Sequence, residues 1–383
     1  MKDAFLEIYV KLCFLLNYWP HYGGAELVTR ILVKEFSNKG NDIYIAYFQD
    51  FGVDCNLNYP QIKLPDKINF DSIENINILN NFLNTNKIDI IICQFWYLAP
   101  LANASRKGIS AKLIYCHHFP LIMPLTNKKK FKIFYNLLNF IRDKRSVYRQ
   151  VLRIYKIYTY VDALILLSYE YIKQYENFFW NRNFKKLHAI SNPSPYVSTE
   201  QINFNKKENF LLFVGRIDEP VKRISLVIEL WRIICNKYLD WTLLIVGDGP
   251  DLEKTKKNAE SLPRVQFEGF KNPDEYYTKS SILLVTSEFE GFGMVLIEAQ
   301  NFGCVPVVMS NSHASLPDII QDGENGLIVP NNEMEVFVEK VELLMNNQDL
   351  REKMAKNGIE SVKKFSIENI VEKWEKLFGK LLK

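Results

Sequence analysis

Residues Ile282 to Val308 constrain this chain more than any other stretch. Ile282-Leu283-Leu284-Val285 is a short apolar run between polar residues, the pattern of a buried parallel strand. Glu288-Phe289-Glu290-Gly291-Phe292-Gly293 follows as a loop with two glycines. Met294 to Phe302 has helical character, Gly303 suits a C-cap, and Val305 to Val308 reads as a second strand. Strand, loop, helix and strand make the βαβ unit of an open α/β sheet. Such sheets bind ligands outside the carboxyl ends of their strands.

Two carboxylates bracket the start of that helix. Glu290 lies in the loop and Glu298 about two turns later, roughly 12 Å along a helix at about 1.5 Å per residue. That spacing is too long for a close acid–base pair and suits the two ends of an elongated ligand. Between them the amides of Phe292, Gly293 and Met294 open the helix. Such a terminus attracts an anion, and glycine lets the anion approach the backbone. Carboxylate, amides and carboxylate fit a sugar, a phosphate and a ribose in a row.

Glu290 and Glu298, with Gly-Phe-Gly between them in EGFGMVLIE, resemble the E-x7-E signature of the retaining nucleotide-sugar glycosyltransferases of family GT4. The resemblance implies an α/β protein of GT-B fold, two Rossmann-like domains facing across a cleft. The chain length of 383 residues agrees, since roughly 100–200 residues make one domain. The expected division is an acceptor-binding domain over 1–190, a linker over 191–208 and a nucleotide-sugar domain over 209–366. A final helix over 367–383 is expected to pack back on the first domain.

Both halves repeat one grammar. In the first, Lys11 to Leu16 is a strand and Gly23-Gly24 closes the loop into a helix from about Ala25 to Lys39; Ile43 to Phe48 is the next strand. Ile88 to Gln94, Lys112 to Cys116 and Asp162 to Leu167 read as further buried strands. Lys112 to Cys116 runs into His117-His118-Phe119-Pro120. Two histidines at the end of a parallel strand can meet a ligand or merely cap the strand. In the second half, Phe210 to Val214, Trp241 to Val246 and Val265 to Phe270 are strands. Gly215-Arg216 follows the first of them, with Lys222 six residues on. Arg as a fork and Lys as a point charge can clamp a diphosphate.

The resemblance extends to these places. FVGR with Lys222 is similar to the family's diphosphate motif, although the family often has Lys-Gly where this chain has Lys222-Arg223. The turn Gly247-Asp248-Gly249-Pro250 also matches. Phe270 ends the strand that in the family lies beside the base. Asp318 stands where the family usually has Glu. The register His-Phe-x-Leu favours His118 over His117 as the family's histidine near the transferred sugar.

The resemblance therefore implies donor binding by Gly23, Gly24, Gly215, Arg216, Lys222, Gly247, Phe270, Glu290, Gly291, Phe292, Gly293, Met294, Val295 and Glu298. Glu290 would hold donor-sugar hydroxyls and Glu298 the ribose. Arg216 and Lys222 would stabilise the leaving diphosphate, and His118 would contact the sugar. The family needs no metal or other cofactor, and the chain has no DxD motif. The implied partners are a nucleotide diphosphate sugar, UDP-linked by the look of the bacterial surface-polysaccharide and lipopolysaccharide enzymes, and a glycan or lipid-linked acceptor. A silent nucleotide-sugar-binding subunit and a GT-B enzyme of other chemistry, such as an epimerase or a phosphorylase, are the alternatives.

Charge is unevenly spread. Residues 126–160 hold six Lys and four Arg against one acid, Asp143, a local +9 in a chain of net +4. As a helix from Arg142 to Tyr158, this stretch puts Arg142, Arg145, Arg149, Arg153 and Lys156 on one stripe. Ile141, Tyr148, Val151, Leu152 and Tyr155 fall opposite. The segment suits either a solvated helix face or docking on anionic lipid heads, with Lys128, Lys129 and Lys130 adding charge. No nucleic-acid motif accompanies it. No apolar run reaches the ~18 residues of a membrane span. Asp3 and Glu7 before a short apolar run do not read as a signal peptide. The six cysteines form no CxxC and read as buried free thiols. The expected location is the cytoplasm, peripheral on the inner membrane face.

Overall fold

The computed structural model describes residues 9–20, 24–50, 58–118, 148–180, 184–196, 202–310 and 315–383. Gly23, Cys55, Lys128, Lys129, Lys130, Ile141, Arg142, Asp143 and Arg145 lie outside them. The chain forms two units, which divide between Pro195 and Tyr196; Ile367–Lys383 belongs to the first unit.

The first unit runs β1 (Lys11–Leu15), α1 (Gly24–Asn38), β2 (Asp42–Tyr47), β3 (Gln61–Lys63), α2 (Ile73–Thr85), β4 (Ile90–Cys93), α3 (Ala99–Ser105) and β5 (Lys112–His117). It continues with a helix α4, described over 148–160, then β6 (Ala163–Leu166), α5 (Tyr169–Phe178) and β7 (Leu187–Ala189). Its seven strands pair in parallel in the order β3-β2-β1-β4-β5-β6-β7. Ile90, Ile91, Ile92 and Cys93 are fully buried, as a central strand covered on both faces requires. Ser168 caps α5, accepting from the amides of Glu170 and Tyr171 at 3.1 and 3.3 Å.

The second unit runs β8 (Glu208–Val214), α6 (Glu219–Lys222), α7 (Ile224–Ile234), β9 (Thr242–Val246), α8 (Leu252–Ala259), β10 (Val265–Gly269), α9 (Asp274–Lys279) and β11 (Ser280–Val285). Then follow α10 (Met294–Asn301), β12 (Val305–Ser310), α11 (Leu316–Ile319), β13 (Leu327–Pro330), α12 (Met334–Asn346) and α13 (Gln348–Val362). Its sheet is again parallel, in the order β10-β9-β8-β11-β12-β13. The last helix, α14 (Ile367–Leu382), returns to the first unit. There its buried stripe of Ile370, Val371, Trp374, Leu377 and Phe378 packs on α1. Phe36 lies 6.3 Å from Trp374 and 5.4 Å from Phe378 between ring centroids.

Both sheets have the strand order of a doubly wound Rossmann-like fold, which reverses beside the first strand of each. The reversal lies between β1 and β4 in the first unit and between β8 and β11 in the second. The strands expected from the sequence all form, displaced by one or two residues at their ends. The short strands β3, β7 and β13 were not anticipated, since three or four residues carry too little pattern.

His117 is the last residue of β5, so the two histidines stand at the strand's carboxyl end as expected. One expectation needs correction. On α4, Arg149, Arg153 and Lys156 are exposed as expected, but so are Tyr148 and Leu152. The buried face is Val151, Ile154 and Ile157, flanked by Tyr155 and Tyr158 on Phe179 and Phe184. This aromatic packing turns the helix so that Leu152 leaves the core. Arg153 is also not a free surface charge: its guanidinium lies 3.8 Å over the Trp96 ring. Cys13, Cys93, Cys116, Cys235 and Cys304 are buried free thiols, and burial pushes Cys13, Cys93 and Cys304 up to about 12. Cys13, Cys93 and Cys304 are therefore protonated and unreactive at neutral pH.

The loops leaving β8, β9 and β10 are stacked. The Gly215 amide donates to Val246 O at 3.0 Å, and the Gly247 amide to Gly269 O at 2.8 Å. Gly247 has φ +145°, and a Cβ there would stand 1.9 Å from Gly215 O. Gly247→Ala should therefore lower stability by about 3 kcal/mol or more, whereas Gly24→Ala, whose Cβ would meet nothing within 4 Å, should change it by less than about 0.5 kcal/mol. Thermal melting of the two variants beside the wild type checks this.

Candidate active site

The switch point between β8 and β11 brings together residues far apart in the chain. After β8, the short helix α6 ends at Lys222; after β11, the chain enters the Glu290 loop. Lys222 Nζ meets Glu290 Oε1 in an ion pair whose side chains are 19% and 14% exposed. The same carboxylate oxygen accepts from Ser287 Oγ at 2.7 Å. Two adjacent parallel strands thus point a cation and an anion at one place.

The backbone around this pair is laced together. The Glu288 amide donates to Val221 O at 2.7 Å, and Thr286 Oγ1 donates to Lys222 O at 2.9 Å. Arg223, next to Lys222, has φ +49° and ψ +49°, the left-handed conformation that glycine adopts without strain. Its side chain offsets that cost. The guanidinium donates to Thr286 O at 2.6 Å, to Asn331 Oδ1 at 2.9 Å and to Asn332 Oδ1 at 3.0 Å, and pairs with Glu288 at 3.0 Å. The departure from Lys-Gly therefore leaves the turn in place. Arg216, by contrast, is 69% exposed and among the described residues reaches only Asp218, at 3.6 Å. It does not join Lys222 in this structure.

Helix α10 begins beyond Gly293, whose φ is +91°. Only Met294–Asn301 is helical, so helical rise does not cover the whole distance from Glu290 to Glu298. The amides of Gly293, Met294 and Val295 donate to no backbone acceptor among the described residues, as the first turn of a helix leaves them. The Phe292 ring is buried 5.5 Å from Phe365, and its carbonyl accepts from Ser315 Oγ at 2.7 Å, so its side chain anchors the loop from beneath. Gly291, Met294 and Val295 stay partly exposed, and Phe270 beyond β10 is 74% exposed.

Glu298 is only 8% exposed. The Tyr277 hydroxyl donates to its Oε2 at 2.9 Å; Oε1 carries no hydrogen bond among the described residues. Burial raises its pKa from 4.5 to about 7, opposed by the Tyr277 hydrogen bond; the negative charge of Asp274 adds to the rise and Lys222 lowers it. The two glutamates thus differ: Glu290 is met by a cation, and Glu298 is held by a neutral hydroxyl.

In the first unit, Gly24 opens α1 with no positive φ and no close neighbour, so neither backbone nor packing demands a glycine there. His117 is buried, with Nδ1 2.8 Å from the Tyr115 hydroxyl. His118 is half-buried, with Nε2 on the Gln94 side-chain oxygen, and lines a crevice with Gln94, Ser191 and Asn192. Burial lowers His117 to about 3, with His118 adding, and lowers His118 to about 4, so both rings are neutral at pH 7. Sequence reasoning missed Ser287, Arg223, Tyr277 and Gln94 as partners of the site residues. Tyr277 and Gln94 reach their partners through the fold, 21 and 24 residues away, and no local pattern marks them; Ser287 lies three residues from Glu290 and Arg223 directly beside Lys222.

Residues 197–361 match the family model described as "Glycosyl transferases group 1". The chain is 24% identical over 384 residues to the amylovoran biosynthesis glycosyltransferase AmsD of Erwinia amylovora, covering 96% of this chain and 99% of that one. It is 28% identical over 229 residues to the Campylobacter jejuni GalNAc-alpha-(1->4)-GalNAc-alpha-(1->3)-diNAcBac-PP-undecaprenol alpha-1,4-N-acetyl-D-galactosaminyltransferase, covering 58% of this chain and 62% of that enzyme. Among solved structures, Anabaena Alr3699/HepE in complex with UDP superposes with a TM-score of 0.72 at 15% identity, over 97% of this chain and 100% of that one. That likeness shows the fold, two Rossmann-like domains of GT-B type.

The raised pKa of Glu298 has a stability consequence. A carboxyl raised by folding binds its proton more tightly in the native state. Its contribution is complete below pH 4.5 and is lost as pH rises through about 7. Glu298→Gln should therefore gain on the wild type by roughly 3 kcal/mol between pH 4.5 and 7.5, at about 1.36 kcal/mol per pH unit. Chemical denaturation across that range reads it.

Proposed function

On the premise that residues 197–361 make this chain a group 1 glycosyl transferase, we propose that it moves a hexose or N-acetylhexosamine, with retention, from a UDP-sugar to a hydroxyl of a lipid-linked glycan in bacterial surface-polysaccharide assembly. The carrying observation is the Lys222–Glu290 pair at the switch point of the second sheet, beside the unbonded amides of Gly293, Met294 and Val295. The named substrate of the Campylobacter relative supports the lipid-linked acceptor, and the UDP bound by the Anabaena neighbour supports the donor.

In this reading the chemistry is set by charge growing on the departing diphosphate. The α10 amides and the Lys222 ammonium meet it, and Arg216 turns in from solvent as a second cation. Such groups contribute about 3–4 kcal/mol each where they act on the transition state. The diphosphate draws Lys222 from Glu290, which frees that carboxylate for donor-sugar hydroxyls. Glu298 Oε1 accepts from the ribose. His118, neutral at working pH, serves as a hydrogen-bond partner for the sugar. Gly24 leaves room for the ligand, and Phe270 lies where the base stacks. With the diphosphate charge assigned to side chains and amides, no metal is called for.

Glu290→Ala should leave UDP binding within about twofold and abolish transfer, while Glu298→Ala should weaken UDP binding by on the order of tenfold or more. Calorimetric titration with UDP, and UDP release from UDP-sugars in the presence of EDTA, measure both. Equal loss of UDP affinity in the two variants would overturn the assignment. UDP binding without release on any acceptor would instead favour a silent binding subunit.

The reading also places the enzyme at the inner face of the membrane. Among the described residues no helix is long and apolar enough to cross a membrane. Attachment in this reading is peripheral, through the basic stretch 126–160, of which Arg149 and Lys156 stand exposed on α4. At about 1 kcal/mol per basic residue near an anionic surface, a handful suffice. Changing Lys128, Lys129, Lys130, Arg142 and Arg145 to Ser should abolish sedimentation with anionic vesicles at low salt and spare UDP release on a soluble acceptor. A native protein that ignores such vesicles would leave the stripe a solvated face.

A further inference from the structure

Glu298 receives one hydrogen bond among the described residues, and the residue that gives it is held more firmly than a packing residue needs to be. Tyr277 is fully buried on α9, with its ring stacked 5.9 Å from Phe302, the C-cap of the helix that carries Glu298. Its hydroxyl donates to Glu298 Oε2 at 2.9 Å. Its carbonyl is held as well: Lys207 Nζ donates to Tyr277 O at 2.7 Å and to Ser280 O at 2.9 Å, meeting the carbonyls at the end of α9. The chain Lys207, α9, Tyr277, Glu298 therefore runs from the amino end of β8 to the carboxylate. It leaves Oε1 as the oxygen without a partner among the described residues.

We propose that Tyr277, clamped by Lys207, is the positioning residue of the nucleotide site, holding Glu298 in its charged form with Oε1 turned to the ribose. The proposal rests on the reading of Glu298 as the ribose acceptor. A buried carboxylate without a donor takes up a proton and then offers the ribose one good acceptor fewer. Of the groups acting on Glu298, Asp274 of α9 favours the proton, and the Tyr277 hydroxyl and Lys222 of α6 oppose it. Tyr196, whose hydroxyl donates to Asp274 and whose ring lies 4.7 Å from Phe302, also faces this group. No ionisable side chain of β12 or α13 acts on Glu298 among the described residues. Tyr277 is the neutral hydroxyl among these groups that hydrogen-bonds the carboxylate directly.

The test is UDP affinity as a function of pH for wild type, Tyr277→Phe, Lys207→Gln and Glu298→Gln, each confirmed folded by thermal melting. Wild-type affinity is expected to rise with a midpoint near pH 7. In Tyr277→Phe the midpoint should move up by about one unit, which at pH 7 is about fivefold weaker binding, with most of the loss recovered at pH 9. Lys207→Gln keeps the hydroxyl and loosens its support, so its shift should have the same sign and be smaller; it carries the test if Tyr277→Phe does not fold. Glu298→Gln should lose this midpoint and keep only the titration of UDP itself. A wild type that binds no UDP at any pH overturns the nucleotide reading and this proposal together. Wild-type binding with an unmoved midpoint in the folded Tyr277 and Lys207 variants, or a loss equal at every pH, overturns the positioning role alone.

Discussion

The ion pair between Lys222 and Glu290 is the contact on which the second unit's site depends. Its partners lie 68 residues apart and meet because β8 and β11 are neighbours where the strand order reverses. Its net contribution to stability is small, since removing both charges from water offsets most of their attraction. What it determines is position. A cation and a carboxylate stand at the carboxyl ends of two central strands, beside a helix start whose amides meet no backbone acceptor among the described residues. The lacing of Thr286 and Glu288 to the 221–223 backbone, and the hold of Arg223 on both loops, keep that position.

The two glutamates of the βαβ unit show how environment divides similar groups. Glu290 is balanced by Lys222 and Ser287, a cation and a hydroxyl on one carboxylate oxygen. Glu298 is buried, carries a raised pKa and depends on a tyrosine hydroxyl. One is held by an opposite charge and the other by burial and a neutral hydrogen bond. Burial acts in the opposite sense on His117 and His118, whose rings it keeps neutral.

Much of this was legible in the residues. The parallel strands of both sheets announce themselves as apolar runs such as Ile90-Ile91-Ile92, because a strand covered on both faces has no polar side to show. Gly247 reads as a turn, and the structure adds the reason, a carbonyl 1.9 Å from where its Cβ would be. The face of α4 was misread at Tyr148 and Leu152 because helix phase is settled by what packs against it, here Phe179 and Phe184. The amide of Phe292 is read from the loop's place before a helix, and the structure adds that its ring lies against Phe365. Arg223 was flagged as a departure, and only its four polar contacts explain how a non-glycine residue keeps the left-handed turn.

By itself the sequence determined the α/β fold class and marked the charged residues at the strand ends, because apolar runs, glycine turns and charged groups at strand ends are local patterns. Only the tertiary structure decided which partners those groups have. Lys222 belongs to Glu290 and not to Arg216; Glu298 belongs to Tyr277; His118 belongs to Gln94. Each partnership joins segments 21 or more residues apart, through strands and helices whose neighbours are set by sheet order. The local pattern of a chain holds no record of which strand lies beside which, and the burial that sets the charge of Glu298 and His118 exists only once the sheets have closed over them.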